Sequence, residues 1–513
     1  MHHARNGRAR AAVIGTVLVL ALAACSSEST TGSGSGGTAA GTGTTVGSVA
    51  PTTSAVDRPD GPSADVSEEL SGGAGVFMGR AEPAVVDEGF VEHEYVAAGT
   101  ATSYAAEGEL TADGRWSFVP GESADYRTRI VVRRPEKAED FSGMVVVEWL
   151  NVSGGVDADP EFVTLREELV RQGHAWVGVS AQRIGVEGGV VAVRVNVAGA
   201  EAAGKGLKGI DPARYGTLAH PGDAFAFDIY TQIARALRSG EGLGDLEPTA
   251  VVAGGESQSA FALVTYINGV QPLTSAFDGF FVHSRGGAGM SVPAAGQSAD
   301  IASSIGGTKT IFRTDTTVPV FDLQTEGDVV GTLGSAAARQ PDTDTIRLWE
   351  VAGTAHADVH LAGEATAEAA NCGVPVNDGP LHVVAKAGFH HFAEWVAGGE
   401  PPPPAPLLEL SADGTAIERD VDGIAVGGVR TAPIDAPTRV LSGVKGPSSE
   451  IICLLFGSTL PMTEARLAEL YPSRTDFETA FEQEADEDIE EGYVLEDDRA
   501  LLEGYAHPEL VSG

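Results

Sequence analysis

The sequence predicts an α/β fold built on a mostly parallel sheet with helices on both faces. Short, fully apolar runs recur along the chain, as strands covered on both faces do. Amphipathic stretches of helical period separate them, which is the alternation that crossover connections produce. The composition allows it: 513 residues with 42% hydrophobic and 20% charged positions carry enough apolar material for a full core. Collagen, coiled coil and disulfide scaffold are excluded by the same figures. Acids outnumber bases 72 to 33, for a formal charge of −39. Such a surface repels phosphate backbones, so nucleic acid is set aside as a partner.

Residues 1–24 read as a signal peptide: Arg5, Arg8 and Arg10 precede the apolar run 11–24, which is shorter than the about 20 residues a membrane span needs. Leu22-Ala23-Ala24-Cys25 resembles the lipobox of bacterial lipoproteins. That resemblance implies an acylated Cys25 and an exported protein held on the outer face of the bacterial cell membrane by its N-terminal lipid only. Residues 25–70 are rich in Ser, Thr and Gly and are expected to form a disordered tether. A large α/β domain is placed at 71–400. Asp113-Gly114 marks a hairpin turn near its start.

Strands are then expected at 128–133, 144–149, 175–180, 250–254, 277–283, 318–324 and 345–351, with helices at 161–172, 222–238 and 259–270. Pro401 to Pro404 and Pro406 stop any helix there and favour an extended strut. A C-terminal extension, 401–513, follows and is expected to pack on the same core, with a second Asp413-Gly414 turn and an acidic helical stretch at 462–505. The acids at 478–498 lack the glycine-centred spacing of a calcium loop. No His-Glu-x-x-His occurs, and His390 and His391 are adjacent, so the sequence calls for no metal or other cofactor.

The chemistry points to Val251-Val252-Ala253-Gly254-Gly255-Glu256-Ser257-Gln258-Ser259-Ala260, a buried strand running into a helix through Gly-x-Ser-x-Ser. A nucleophile at such a turn has a strained backbone, so its neighbours two residues away must be small; Ser259 departs from the usual glycine. This turn presents the Ser257 hydroxyl above the sheet edge and aims the Gln258 N–H at a developing oxyanion. A serine needs a base, and the base needs a carboxylate. The last strand ends before His356, and the preceding one before Glu326 and Asp328. Asp328 is the favoured acid and Glu326 the alternative, the other being expected in solvent. His360 is the near rival of His356.

The order Ser257, Asp328, His356 resembles the α/β-hydrolase superfamily. Residues 215–225, 255–260, 277–285 and 349–356 resemble a bacterial subfamily designated only as an alpha/beta hydrolase domain, over roughly 75–470. The resemblance implies a Ser-His-acid hydrolase, an esterase acting on a small-molecule ester, and leaves the ester unidentified. Amidase or acyltransferase chemistry, or a lipoprotein that merely binds, are the alternatives. A second oxyanion donor is expected from Asn151 or Val152, after the 144–149 strand. Trp149, His220 and Arg285 are candidates to line the substrate pocket. Cys372 and Cys453 remain once Cys25 is acylated; in an oxidising compartment they form a disulfide or stay as buried thiols. The sequence does not specify the oligomeric state.

Overall fold

The computed structural model describes residues 58–512 apart from 81–84, 86–87, 195–199, 445 and 449. The expected signal peptide, Cys25 and most of the expected tether lie outside the described residues. Residues 65–69 of the expected tether belong to the sheet instead. Strand β1 (Asp65–Glu69) already pairs antiparallel with β2 (Phe90–Ala106), and Ala64, Val66 and Leu70 are buried. Three small apolar contacts among polar residues are too sparse for composition to reveal.

β2 and β3 (Phe118–Pro135) form a long antiparallel hairpin. Its connection carries the expected turn: Gly114 donates to the Thr111 carbonyl and has φ +70°, and a Cβ there would lie 2.4 Å from the Ile311 carbonyl oxygen. Only glycine fits that approach. The strands β4 (Met144–Trp149), β5 (Ala175–Val179), β6 (Ala250–Glu256), β7 (Gly279–His283), β8 (Val320–Thr325) and β9 (Ile346–Val351) complete one nine-stranded sheet. Its order is β1-β2-β3-β5-β4-β6-β7-β8-β9, parallel from β5 to β9.

Alternate side chains of these strands feed two cores, one per face. On one side Val145, Val147, Val251 and Phe280 pack with residues 226–238 and 258–265. Val146, Val252, Phe281 and Phe321 pack on the other with α1 (Pro160–Gln172) and residues 381–396. The helices are thus α1, α2 (Ala226–Arg238), α3 (Gln258–Thr265) and α4 (Leu381–Val396). The architecture is the mixed, mostly parallel α/β sheet that the sequence predicts.

One strand residue breaks the apolar pattern. Glu148 lies wholly buried in β4, where its carboxylate accepts from the Glu161 and Phe162 amides at the start of α1 (3.0 Å each) and from Trp176 Nε1 (2.9 Å). It satisfies orphan donors of the helix terminus. Burial pushes its pKa well above the carboxylate range.

Beyond residue 400, Trp349 Nε1 donates to the Pro403 carbonyl (2.9 Å), fastening the proline strut to the sheet. A small two-stranded sheet follows, β10 (Arg439–Ser442) with β11 (Ser458–Pro461). Between its strands lies the short helix α5 (Ile451–Leu455), and after it α6 (Arg474–Glu490). Phe477, Phe481 and Ala485 of α6 are buried in a cluster that includes Val383 of α4, while most of its acids face solvent. Cys372 and Cys453 are joined by a disulfide.

Candidate active site

The C-terminal ends of β6, β8 and β9 meet at one edge of the sheet. At the first, Ser257 adopts φ 59° and ψ −116° between β6 and α3. This conformation is costly for a residue with a Cβ and is held by its surroundings: the Ser257 N–H donates to the His283 carbonyl at 3.0 Å. The close crossing also explains the departure at Ser259. A Cβ on Gly255 would lie 3.0 Å from the Ser259 Cβ, so the crossing has space for one side chain, and glycine at 255 leaves it to Ser259.

At the second, β8 runs into a capping box in which Thr325 donates to Asp328 Oδ2 through both N–H and hydroxyl (2.7 Å each). Ser284 Oγ donates to the same oxygen at 2.8 Å. This leaves Asp328 Oδ1 to accept from His356 Nδ1 at 2.6 Å. A carboxylate at Nδ1 makes that nitrogen the donor, so Nε2 accepts the Ser257 hydroxyl, 2.8 Å away. Burial raises the Asp328 pKa, but the adjacent imidazole and these hydrogen bonds outweigh it and hold the carboxyl below its ordinary value. Burial disfavours the charged His356 ring, yet Asp328 and Glu256 outweigh it and lift that ring above its ordinary value.

Glu326 has different work. Far from being a solvated carboxylate, it is fully buried, with Oε1 accepting from the Gly353 amide (2.6 Å). Its Oε2 accepts from Arg419 (2.6 Å), Ser442 Oγ (3.2 Å) and the Gly443 amide (3.0 Å). It ties the loop leading to His356 to the end of β10. His360 is not at the serine either; its Nε2 faces the Val163 carbonyl at 3.2 Å.

The oxyanion assignments divide. The Gln258 N–H opens α3 and has no acceptor among the described residues. The Asn151 amide instead donates to the Ala158 carbonyl (2.9 Å), and the Val152 amide to Gln258 Oε1 (3.1 Å). Neither is free to serve as the second donor. The Gln258 side chain takes Val152, an interaction invisible in a strand-and-turn reading, and its Nε2 donates to Gln182 (2.6 Å).

All three proposed pocket residues are structural. Trp149 is buried against Phe227 and Tyr230, with Nε1 donating to Gln182 at 3.0 Å. His220 binds the Ala181 carbonyl through Nε2 (2.9 Å) and accepts from the Gly222 amide. Arg285 is 1% exposed and pairs with Asp322 at 2.8 Å. Apolar strand ends and cationic loop residues look alike in sequence whether they face a cavity or the interior.

The cavity that does open over Ser257 and His356 has a volume of about 980 Å3. Its walls are largely aliphatic and aromatic, among them Val163, Phe261, Leu333, Ile417, Leu455 and Phe456. The C-terminal extension therefore builds part of the wall, through Arg419, Val444 and α5. The disulfide holds α5 at Cys453, and the Ala357 amide donates to the Leu455 carbonyl at 3.1 Å. A further polar residue in the lining is Glu256, whose Oε1 lies 3.5 Å from His356 Nε2.

A family model described as an alpha/beta hydrolase domain matches residues 59–503. The chain belongs to that family. As an alpha/beta hydrolase it also resembles, distantly, several solved structures. Fungal esterases from Rhizomucor miehei match at 10% identity and TM-score 0.30, covering 58% of this chain and 85% of theirs. An alpha-beta serine hydrolase homologue from Coxiella burnetii matches at 15% and 0.25, covering 45% and 84%. A glucuronoyl esterase from Solibacter usitatus matches at 10% and 0.28, covering 58% and 82%. No curated protein matched. The family assignment rests on the matched residues alone.

Proposed function

We propose that this alpha/beta hydrolase is a serine carboxylesterase whose substrate carries a bulky apolar acyl or alcohol group. The observation that carries the reading is the unbroken chain Ser257 Oγ, His356, Asp328, at 2.8 and 2.6 Å, on the floor of an apolar cavity. Ser257 attacks the acyl carbon and passes its proton to His356 Nε2. The Gln258 N–H receives charge on the carbonyl oxygen, Asp328 steadies the imidazolium, and His356 protonates the departing alcohol. Water, deprotonated by the same ring, then releases the acid from Ser257. An apolar cavity favours a substrate that loses water-exposed hydrocarbon on binding.

The test is a Ser257→Ala variant assayed on p-nitrophenyl esters of increasing chain length. Hydrolysis should fall by several orders of magnitude, roughly 10^3 or more by comparison with other triads, and labelling by a fluorophosphonate probe should vanish. Undiminished hydrolysis would falsify the assignment. We further propose, on the lipobox-like Leu22-Ala23-Ala24-Cys25, that the enzyme is exported and lipid-anchored. A Cys25→Ala variant should lose incorporation of a labelled fatty acid; retained label refutes the anchor.

A further inference from the structure

We propose that Glu256 is a positioning residue for His356, a second carboxylate that meets the imidazole on the nitrogen opposite Asp328. The inference rests on the serine-esterase reading above. Asp328 holds Nδ1 at 2.6 Å, whereas Glu256 Oε1 lies 3.5 Å from Nε2, the atom that exchanges the proton with Ser257. The two acids bracket the ring. Glu256 is 4% exposed and fixed from one side by Asn151, whose Nδ2 donates to the Glu256 carbonyl at 3.1 Å and stands 3.4 Å from Oε2.

Glu256 ends β6 opposite His283 of β7, and His283 Nδ1 in turn lies 3.5 Å from Glu161 of α1. Charges of alternating sign therefore face it: His356 and His283 attract, Glu161 and Asp328 repel. Burial pushes the Glu256 carboxyl up to about 7, against the pull of the two imidazoles. Burial opposes a charged His283, but Glu161 and Glu256 overcome it and raise that ring.

The consequence concerns the moment after proton transfer. Once the Ser257 Oγ–H bond breaks and the proton sits on Nε2, Oγ is bonded to the tetrahedral acyl carbon and accepts hydrogen bonds less well. Glu256 is then the carboxylate beside the new N–H, and it keeps the ring in place until the proton passes to the leaving alcohol. In this step Glu256 itself neither gains nor loses a proton. The same charge favours the imidazolium in the resting enzyme, so it moves the acid limb of the rate profile to higher pH.

The experiment is kcat/KM against pH on p-nitrophenyl butyrate for the wild type, Glu256→Gln and Glu256→Asp, with Ser257→Ala alongside. Removing one opposite charge at this distance should lower the acid-limb midpoint of Glu256→Gln by about one pH unit. Its plateau should fall roughly tenfold through kcat, with KM little changed. Glu256→Asp, with the charge retained, should move the limb less. An acid limb that stays at the wild-type position in folded Glu256→Gln overturns the inference, as does a loss of activity fully accounted for by a smaller fraction labelled by fluorophosphonate. Activity surviving in Ser257→Ala would instead overturn the esterase reading, so the two failures are distinct.

Discussion

Asp328 and Glu326 are two residues apart and equally buried, yet the structure predicts opposite phenotypes for their amides. Asp328→Asn retains shape but replaces the acceptor that fixes the His356 tautomer, at the 2.6 Å contact. In serine proteases the equivalent change costs about 10^4 in kcat, or roughly 5.5 kcal/mol of transition-state stabilisation. Glu326→Gln leaves the reacting groups untouched. Its carboxylate accepts four hydrogen bonds, from the Gly353 and Gly443 amides, Ser442 and Arg419. An amide offers one acceptor oxygen and one NH2 that only donates, so whichever way it turns, its NH2 faces at least one N–H, and Arg419 loses its counter-charge. With charge-assisted bonds worth about 1.5–3 kcal/mol each, the loss comes to roughly 3 kcal/mol of folding stability. The assay is urea unfolding together with kcat on a p-nitrophenyl ester, normalised to the fraction that reacts with fluorophosphonate. Asp328→Asn should unfold within about 1 kcal/mol of wild type while losing activity. Glu326→Gln should lose stability and keep kcat within about tenfold. The reasoning is refuted if Glu326→Gln unfolds like wild type but loses activity as Asp328→Asn does.

Two further predictions concern the C-terminal extension. Asp488 of α6 accepts from the Ala432 amide at 2.8 Å, and burial, with Asp435, Glu484 and Glu491 nearby, raises its pKa from 3.8 to about 8. The folded state thus holds a proton that the unfolded state releases, so the contribution is full below pH 3.8 and is lost as pH rises through about 8. Asp488→Asn should therefore unfold about 2 kcal/mol later than wild type at pH 8 and no later at pH 3.5, read by urea midpoints; a gain independent of pH contradicts the argument. The disulfide between Cys372 and Cys453 closes a separation of 81 residues and anchors α5 against the cavity. Replacing both with serine should cost about 4 kcal/mol. It should also reduce the preference for octanoate over acetate esters by roughly tenfold, as apolar wall contacts are lost. An unchanged chain-length profile would show that α5 does not touch the substrate.

The strands of the parallel sheet were legible because each is buried on both faces and so is written as a continuous apolar run, as in Met144–Trp149 and Ile346–Val351. The serine turn was legible because its backbone strain restricts which residues can flank it, and Gly255 meets that restriction. The first strand was not, since Val66 is the lone buried side chain of Asp65–Glu69. Choosing between Glu326 and Asp328 was partly within reach, because Thr325-Glu326-Gly327-Asp328 has capping-box spacing that ties the second acid back to the strand end. The pocket assignments were out of reach. Trp149 ends β4 and Arg285 follows β7, while His220 sits in the loop before Pro221, yet each turns inward to partners 33, 39 and 37 residues away.

Local sequence by itself determined the sheet, the crossovers and the turn that carries Ser257, since these depend on the period of apolar side chains and on backbone conformations that few residues tolerate. Only the tertiary structure decided which groups surround the hydroxyl: that Gln258 occupies the Val152 amide, that Glu256 faces His356, and that α5, almost two hundred residues downstream, forms the cavity wall. Those outcomes depend on side-chain distances between segments remote in the chain, and such distances exist only once both faces of the sheet have been packed.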